Sequence, residues 1–286
     1  MSRIAYVNGR YLPQSAAKVA VEDRGYQFAD GVYEVCEVRG GRLIDERRHM
    51  ARLDRSLGEL RMARPMSPSA LAVVLRETIR RNRVRDGIVY VQITRGVARR
   101  DFPFPSTNTR PGMVVTARSN DIERLERIAA EGVAVITVPD IRWQRVDIKS
   151  VALLPNVLAK QTAREQGARE AWLTDAKGRR TEGASSNAWI VSRDGKVVTH
   201  PLGHDVLPGV TRAVVIDVIK KQGLAFEERA FTVEEAYAAR EAFITSASQT
   251  VLPVVSINGR PVGNGAPGLI ATGLRRDYHR HAETSQ

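Results

Sequence analysis

Lys149 stands where an ammonium group is hard to account for. In RVDIKSVALLPNVLAK, residues 145–160, it follows an alternation (Ile141, Trp143, Arg145 and Asp147 against Arg142, Gln144, Val146 and Ile148) that predicts a strand. It precedes the apolar run Val151-Ala152-Leu153-Leu154. A lysine at that junction either snorkels its head to water or sits desolvated with a lowered pKa, nucleophilic enough to form a Schiff base. Two other segments weigh on the choice. Thr181-Glu182-Gly183-Ala184-Ser185-Ser186-Asn187 puts a carboxylate beside a turn dense in hydroxyl and backbone N–H groups. Such a turn either joins two strands or binds an anion, and the carboxylate can keep a heterocyclic nitrogen protonated. Leu207-Pro208-Gly209-Val210-Thr211-Arg212 opens a predicted helix with a hydroxyl near its start, which suits either phosphate or ordinary capping. This company shifts the balance at Lys149 towards covalent chemistry.

Three other features carry less. GNGAPG, residues 263–268, matches G-x-G-x-x-G in letters, but it follows an Asn258-Gly259 turn and places Pro267 where a phosphate-binding turn supplies an N–H. His200 and His204 flank a proline-broken segment and lack a third ligand, so no metal site is expected. Cys36 is the sole cysteine. Its place in Val35-Cys36-Glu37-Val38 makes it a buried small hydrophobe, and no intramolecular disulfide can form.

These residues need elements to hold them. Asn8-Gly9 between Ile4–Val7 and Tyr11-Leu12 predicts a hairpin, as does Arg39-Gly40-Gly41-Arg42 between Val32–Val38 and Leu43-Ile44. Met50, Leu53, Leu57 and Leu60 predict a helix over 49–62, and a second helix runs from Pro68 or Ser69 through Ile79 behind the cap residue Ser67. Strands at 88–94 and 113–117 are separated by ARRDFPFPSTNTRPG, a Pro-rich loop of the length that often carries function. The polar stretch 119–127 is the expected linker between an N-terminal domain, 1–118, and a C-terminal domain, 128–286, that carries Lys149. In the second part, strands are expected at 133–138, 171–173, 188–191, 197–199 and 243–245. Helices are expected with Leu154, Val157, Leu158 and Gln161 on one face, and over 211–222. The order is neither a regular βαβ alternation nor an all-β series, so the fold class is α+β.

Composition sets the outer limits. A chain of 286 residues, 43% hydrophobic and 27% charged, has the size for two domains and the composition of a folded protein. It shows no apolar run of about 20 residues and no signal-peptide h-region, so a cytoplasmic protein off the membrane is expected. The net charge of +12 admits a nucleic-acid binder. Its arginines, however, come in scattered pairs among acids without aromatic interleaving, which favours a solvated surface that attracts small anionic substrates.

Several segments together resemble one family. Glu22-Asp23-Arg24-Gly25-Tyr26-Gln27-Phe28-Ala29-Asp30-Gly31-Val32-Tyr33-Glu34-Val35, Asp140–Trp143 with Asp147–Ser150, Thr181–Asn187 and Leu207–Arg212 resemble the class IV, or fold type IV, pyridoxal-phosphate aminotransferases, nearest their D-amino acid-specific branch. The resemblance runs through nearly the whole chain in the same order. It implies pyridoxal 5'-phosphate as cofactor and Lys149 as the Schiff-base lysine that also moves the proton between substrate Cα and the cofactor. Glu182 would pair with the pyridine nitrogen and Arg52 with the phosphate. Ser185, Ser186, Gly209, Val210, Thr211, Ser246 and Ala247 would add cofactor contacts, and Leu207 would pack on the ring. Tyr33 and Arg100 would hold the α-carboxylate, with Phe102 and Ser248 beside them.

Arg100 would come from the neighbouring subunit's loop, which implies a homodimer. Two departures stand out. The family usually has histidine where Phe102 stands and a phosphate-binding threonine where Ala247 stands, with Ser246 and Ser248 left as the nearby hydroxyls. The implied activity is ping-pong transfer of an amino group from a D-amino acid such as D-alanine to a 2-oxo acid such as 2-oxoglutarate. A branched-chain L-amino acid or (R)-amine transaminase and an aminodeoxychorismate lyase are the alternatives within the family.

Overall fold

The computed structural model describes residues 3–285; residues 1, 2 and 286, at the ends of the expected domains, lie outside the described residues. The chain divides into two compact units. The first comprises residues 3–121, Ile148–Ala152 and 283–285, and the second Ile122–Asp147 and Leu153–Ala282. The Lys149 segment therefore groups with the first unit, although the chain on both sides of it belongs to the second.

In the first unit, β1 (Ile4–Val7) turns through Asn8 and Gly9 into β2 (Arg10–Pro13). Both turn residues have positive φ, 45° and 96°, the conformation for which Asn-Gly is suited. A short helix, α1 (Arg24–Phe28), precedes the hairpin of β3 (Gly31–Arg39) and β4 (Arg42–Ile44). Helices α2 (Glu46–Glu59) and α3 (Pro68–Arg81) follow, and then β5 (Gly87–Thr94) and β6 (Gly112–Ser119). Helix α2 starts three residues before the expected position, and Ser67 caps α3 by accepting the Ala70 N–H at 3.2 Å. The sheet runs from the C-terminal strand Thr284–Ser285 through β4, β3, β5, β6 and β1 to β2. Every pairing in it is antiparallel, and alternate residues share a face. Val32, Cys36 and Val38 face the core with Val91, Ile93 and Val115, against Leu53 and Leu57 of α2 and Leu71 and Leu75 of α3. Tyr33 lies in the other register, half-buried.

The second unit begins with α4 (Ile122–Glu131), where a linker was expected. Ile122, Leu125, Ile128 and Ala129 recur at helical spacing among charges, and Ala129 is buried. Its remaining elements are β7 (Val133–Pro139), α5 (Leu154–Glu165), β8 (Glu170–Thr174), β9 (Arg180–Gly183), β10 (Asn187–Val191), β11 (Val197–Thr199), α6 (Val210–Lys221), β12 (Phe226–Glu228), α7 (Val233–Ala238), β13 (Glu241–Ser246), β14 (Thr250–Ile257), β15 (Arg260–Pro261) and α8 (Leu269–His281). The strand order is β12-β11-β10-β13-β14-β7-β8-β9, with β15 on β14. The pairs β11–β12, β14–β7 and β7–β8 are parallel, so this sheet is mixed. Its core is built on Trp172, Ile190, Phe231, Ile244, Leu252 and Ile257.

A further expectation fails here. Residues 141–148 form turns rather than a strand. Arg142 and Arg145 each pair with a carboxylate two residues away, Asp140 and Asp147, and such local pairs favour a turn over a strand. On α5, Leu154, Val157 and Leu158 are 69%, 58% and 51% exposed, while the buried residues are Ala159 and Ala163. The expected apolar face exists but is not the one that packs within the chain.

Candidate active site

The predicted site residues fall into two sets, one in each unit. In the first, Lys149 is held by its backbone. Its carbonyl accepts the Tyr33 N–H at 2.9 Å, Val151 donates to the Gly31 carbonyl at 3.0 Å, and the Lys149 N–H donates to Ser56 Oγ at 3.2 Å. Lys149 and Val151 are thus sewn to the start of β3. Its Nζ lies 4.3 Å from the Tyr33 ring centroid, where the π face attracts a cation. The Tyr33 ring meets that of Tyr90 tilted by 30°, with centroids 5.6 Å apart, and the Tyr90 hydroxyl donates to Gln92 Oε1 at 2.7 Å. Burial, then the nearby Tyr33, push the Tyr90 phenol up to about 12.

Arg52 projects from α2 onto a carboxylate that sequence reasoning passed over. Its Nε and Nη2 donate to Glu34 Oε2 and Oε1 at 2.9 and 2.6 Å, a bidentate pair. His49 Nδ1 is 3.0 Å from the same Oε1, and the Val35 N–H also donates to it. Burial alone would raise the Glu34 carboxyl, but Arg52 and His49 hold it well below the usual range. The signal was present: Glu34 occupies the inward register between Val32 and Cys36, where an unpaired acid would be intolerable.

Arg100 and Phe102 sit on the loop between β5 and β6. The Arg100 guanidinium lies 4.7 Å from the Phe28 ring centroid, and Phe102, 83% exposed, meets the same ring at 5.7 Å.

In the second unit, Glu182 on β9 is 4% exposed. Its Oε1 accepts from Arg142 Nη1, while Oε2 accepts from Asn187 Nδ2 at 3.0 Å and from the Leu207 N–H at 3.2 Å. Arg142 is shared: its Nη2 donates to Asp140 Oδ2 at 2.7 Å. Burial pushes the Glu182 carboxyl up to about 7, with Arg142 opposing it, whereas Asp140 is drawn down by its bonds to Arg142 in spite of its own burial. In the sequence Arg142 belongs to an alternating run and to the family segment Asp140–Trp143, with no role of its own; the carboxylate of Asp140 two residues away is the cue to that role.

Ser185 and Ser186 donate to Glu170 Oε2 at 2.6 and 3.2 Å, and Lys160 Nζ lies 3.3 Å from Oε1 of the same residue. Their hydroxyl protons are thereby committed to that carboxylate. Gly209 caps α6 without a side-chain hydrogen bond, and a Cβ there would come within 2.0 Å of Asn187 Oδ1, which requires glycine. Behind it Val210 and Thr211 are buried at the start of the helix, where first-turn N–H groups attract anions. Ser246, Ala247 and Ser248 lie half-buried at the turn from β13 to β14.

These parts suit an amine bound covalently, a cationic heterocycle and a phosphate. Comparison with known proteins points the same way. The family profile described as Amino-transferase class IV matches residues 31–257. The D-alanine aminotransferase of Bacillus licheniformis is 42% identical over 268 residues, 94% of this chain and 93% of that protein. The D-alanine aminotransferase of Staphylococcus haemolyticus is 38% identical over 282 residues, 98% of each chain. Among solved structures, a T.th. branched-chain amino acid aminotransferase with pyridoxamine 5'-phosphate aligns with a TM-score of 0.87 and 27% identity over 98% of this chain and 94% of that one. The α+β architecture and the family match agree along the chain, which belongs to the class IV aminotransferases, pyridoxal-phosphate enzymes.

Proposed function

We propose that the chain transfers the amino group of a D-amino acid such as D-alanine to a 2-oxo acid such as 2-oxoglutarate. The observation that carries this reading is the near full-length identity to enzymes named for D-alanine. The residues present fit the cofactor. Glu182 is buried and only partly compensated by a shared arginine, which suits it to a second cation, and the uncapped start of α6 offers N–H groups to a phosphate. Pyridoxal phosphate, when bound, supplies the electron sink for the charge left on the substrate Cα.

The chain's own groups do the rest. Lys149 Nζ is the covalent attachment point and the base that takes the Cα proton and returns it; its pinned backbone fixes where that nitrogen swings from. Glu182, held by Arg142, Asn187 and the Leu207 N–H, would accept from the protonated ring nitrogen. Arg52, oriented by Glu34, would be a phosphate ligand, as would Gly209, Val210, Thr211 and Ser246, and Leu207 would pack on the ring. Ser185 and Ser186 line this side with oxygens turned by Glu170, and Ala247 adds only backbone. Arg100 grips the α-carboxylate with Tyr33, and Phe102 and Ser248 border the substrate.

On this reading the protein is a cytoplasmic homodimer in which each site borrows the other subunit's Arg100 loop. The exposed Leu154, Val157 and Leu158 of α5 supply an apolar surface for a second copy. Among the described residues no helix is long and apolar enough to cross a membrane.

The test is a comparison of half-reaction rates with D-alanine, L-leucine and (R)-1-phenylethylamine. D-Alanine should be fastest, and if it were slowest the D-specific reading would be wrong. Borohydride should bleach the visible absorbance and fix label on Lys149, and K149A should take none. Sedimentation should give twice the chain mass, and cell fractionation should leave the protein in the cytosol.

A further inference from the structure

The loop that carries Arg100 is long, proline-rich and exposed, yet one arginine is buried beneath it. Arg24, 3% exposed, donates from Nη1 to the Asp101 carbonyl at 2.6 Å and from Nη2 to the Phe102 carbonyl at 3.4 Å. These are the carbonyls of the two residues that follow Arg100. Its Nε donates to Asp30 Oδ2 at 2.8 Å, and the same oxygen accepts from Arg95 Nε at 2.7 Å. Arg95 holds the same stretch of the loop two residues further on, with its guanidinium 3.7 Å from the Phe104 ring centroid. A single carboxylate thus anchors both Arg24 and Arg95.

The side chain of Arg100 is placed by the same helix. Phe28, four residues after Arg24 and so on the same face of α1, presents its ring centroid 4.7 Å from the guanidinium carbons of both Arg24 and Arg100. A guanidinium lying on an aromatic ring uses its face and leaves its N–H edge open. Among the described residues no hydrogen bond or ion pair engages that edge of Arg100, so its forked donors are unspent. The phenylalanine at position 102 packs on the same ring, which keeps the loop seated.

We propose that Arg24 and Phe28 are positioning residues for Arg100. Arg24 sets the course of the loop through the Asp101 and Phe102 carbonyls, and Phe28 sets the orientation of the guanidinium that meets the substrate carboxylate. The proposal rests on the reading of Arg100 as the carboxylate clamp. It also gives a physical reason for the segment Arg24–Asp30, none of whose side chains has an assigned part in the reaction.

The test is a double-mutant cycle on the holoenzyme, with KM and kcat for D-alanine and cofactor loading measured for R24M, R100M and R24M/R100M. R100M should raise KM about tenfold or more, and R24M should raise it about tenfold with kcat within about twofold and loading unchanged. The double variant should be no worse than R100M within about twofold, because the two substitutions remove one interaction. An R24M effect that falls on kcat or on cofactor loading, or that adds in full to R100M, would overturn the proposal, as would an unchanged KM. F28L leaves the Arg24–Asp30 pair in place and serves if R24M does not fold; it should raise KM about threefold, and wild-type KM there would also overturn the proposal. If R100M itself keeps the wild-type KM, the clamp reading of Arg100 fails, and that result needs no change at residue 24 or 28.

Discussion

Glu34 in the first unit and Glu182 in the second are both buried against arginine, and the two carboxylates are set in opposite directions. Glu34 receives two bonds from Arg52, one from a backbone N–H and a contact from His49, and it is held far down. Glu182 is as deeply buried, but its arginine is divided with Asp140, and desolvation wins. The difference lies in how much positive charge each acid keeps for itself. A carboxylate saturated with cations acts as a brace for its arginine. A carboxylate left short of them is ready for one more, and a protonated ring nitrogen would supply it.

Removing the brace should have the largest effect. E34A leaves Arg52 buried without its anion, and urea denaturation of the apoprotein should show about 3–5 kcal/mol lost. If the loss were below about 1 kcal/mol, Glu34 would not be the saturated partner described. E182Q should do the reverse, lowering kcat on the order of 100-fold while the apoprotein stays as stable at pH 8 as the wild type. Smaller still is the effect of the divided arginine. R142M removes the cation that opposes the burial of Glu182, so its carboxyl should rise further and stay protonated at neutral pH. Cofactor titration by absorbance should then show about tenfold weaker binding, partly recovered at higher pH.

The smallest expected effect is a pH slope. The Glu182 carboxyl rises from 4.5 to about 7 in the folded chain, so between those values the folded state holds a proton that the unfolded state has lost. That contribution is complete below the lower value and is lost as pH rises through about 7. Between pH 5 and pH 8 the wild-type apoprotein should therefore lose more Tm than E182Q, by roughly 3 °C. Equal slopes would mean that Glu182 is ionised throughout.

Much of this was legible in the sequence where the cause is local. Asn8-Gly9 imposes its own turn, Ser67 its own cap, and the alternation of β3 its inward face. The odd position of Lys149 was visible because charge and apolar runs meet there. Glu34 and Arg142 were harder, since each is explained only by a partner in another element or a neighbour bonded through its side chain. Glu34 sits 18 residues from the arginine it orients. Arg142 reaches 40 residues along the chain to Glu182, and an alternating pattern concealed the turn it builds. Helix α4 was obscured because charges outnumber the apolar residues that give its period. The exposed face of α5 shows the converse: its spacing was read correctly, but periodicity carries no information about which neighbour a face will meet.

Cys36 lends itself to a different use. It is the sole thiol of the chain, 1% exposed beside Glu34 at the centre of the first sheet, and its pKa is pushed well above the ordinary range. A thiol reagent therefore finds nothing to label until that sheet parts. The rate of its uptake counts openings of this core one molecule at a time, a native stopwatch for the first unit that needs no introduced probe.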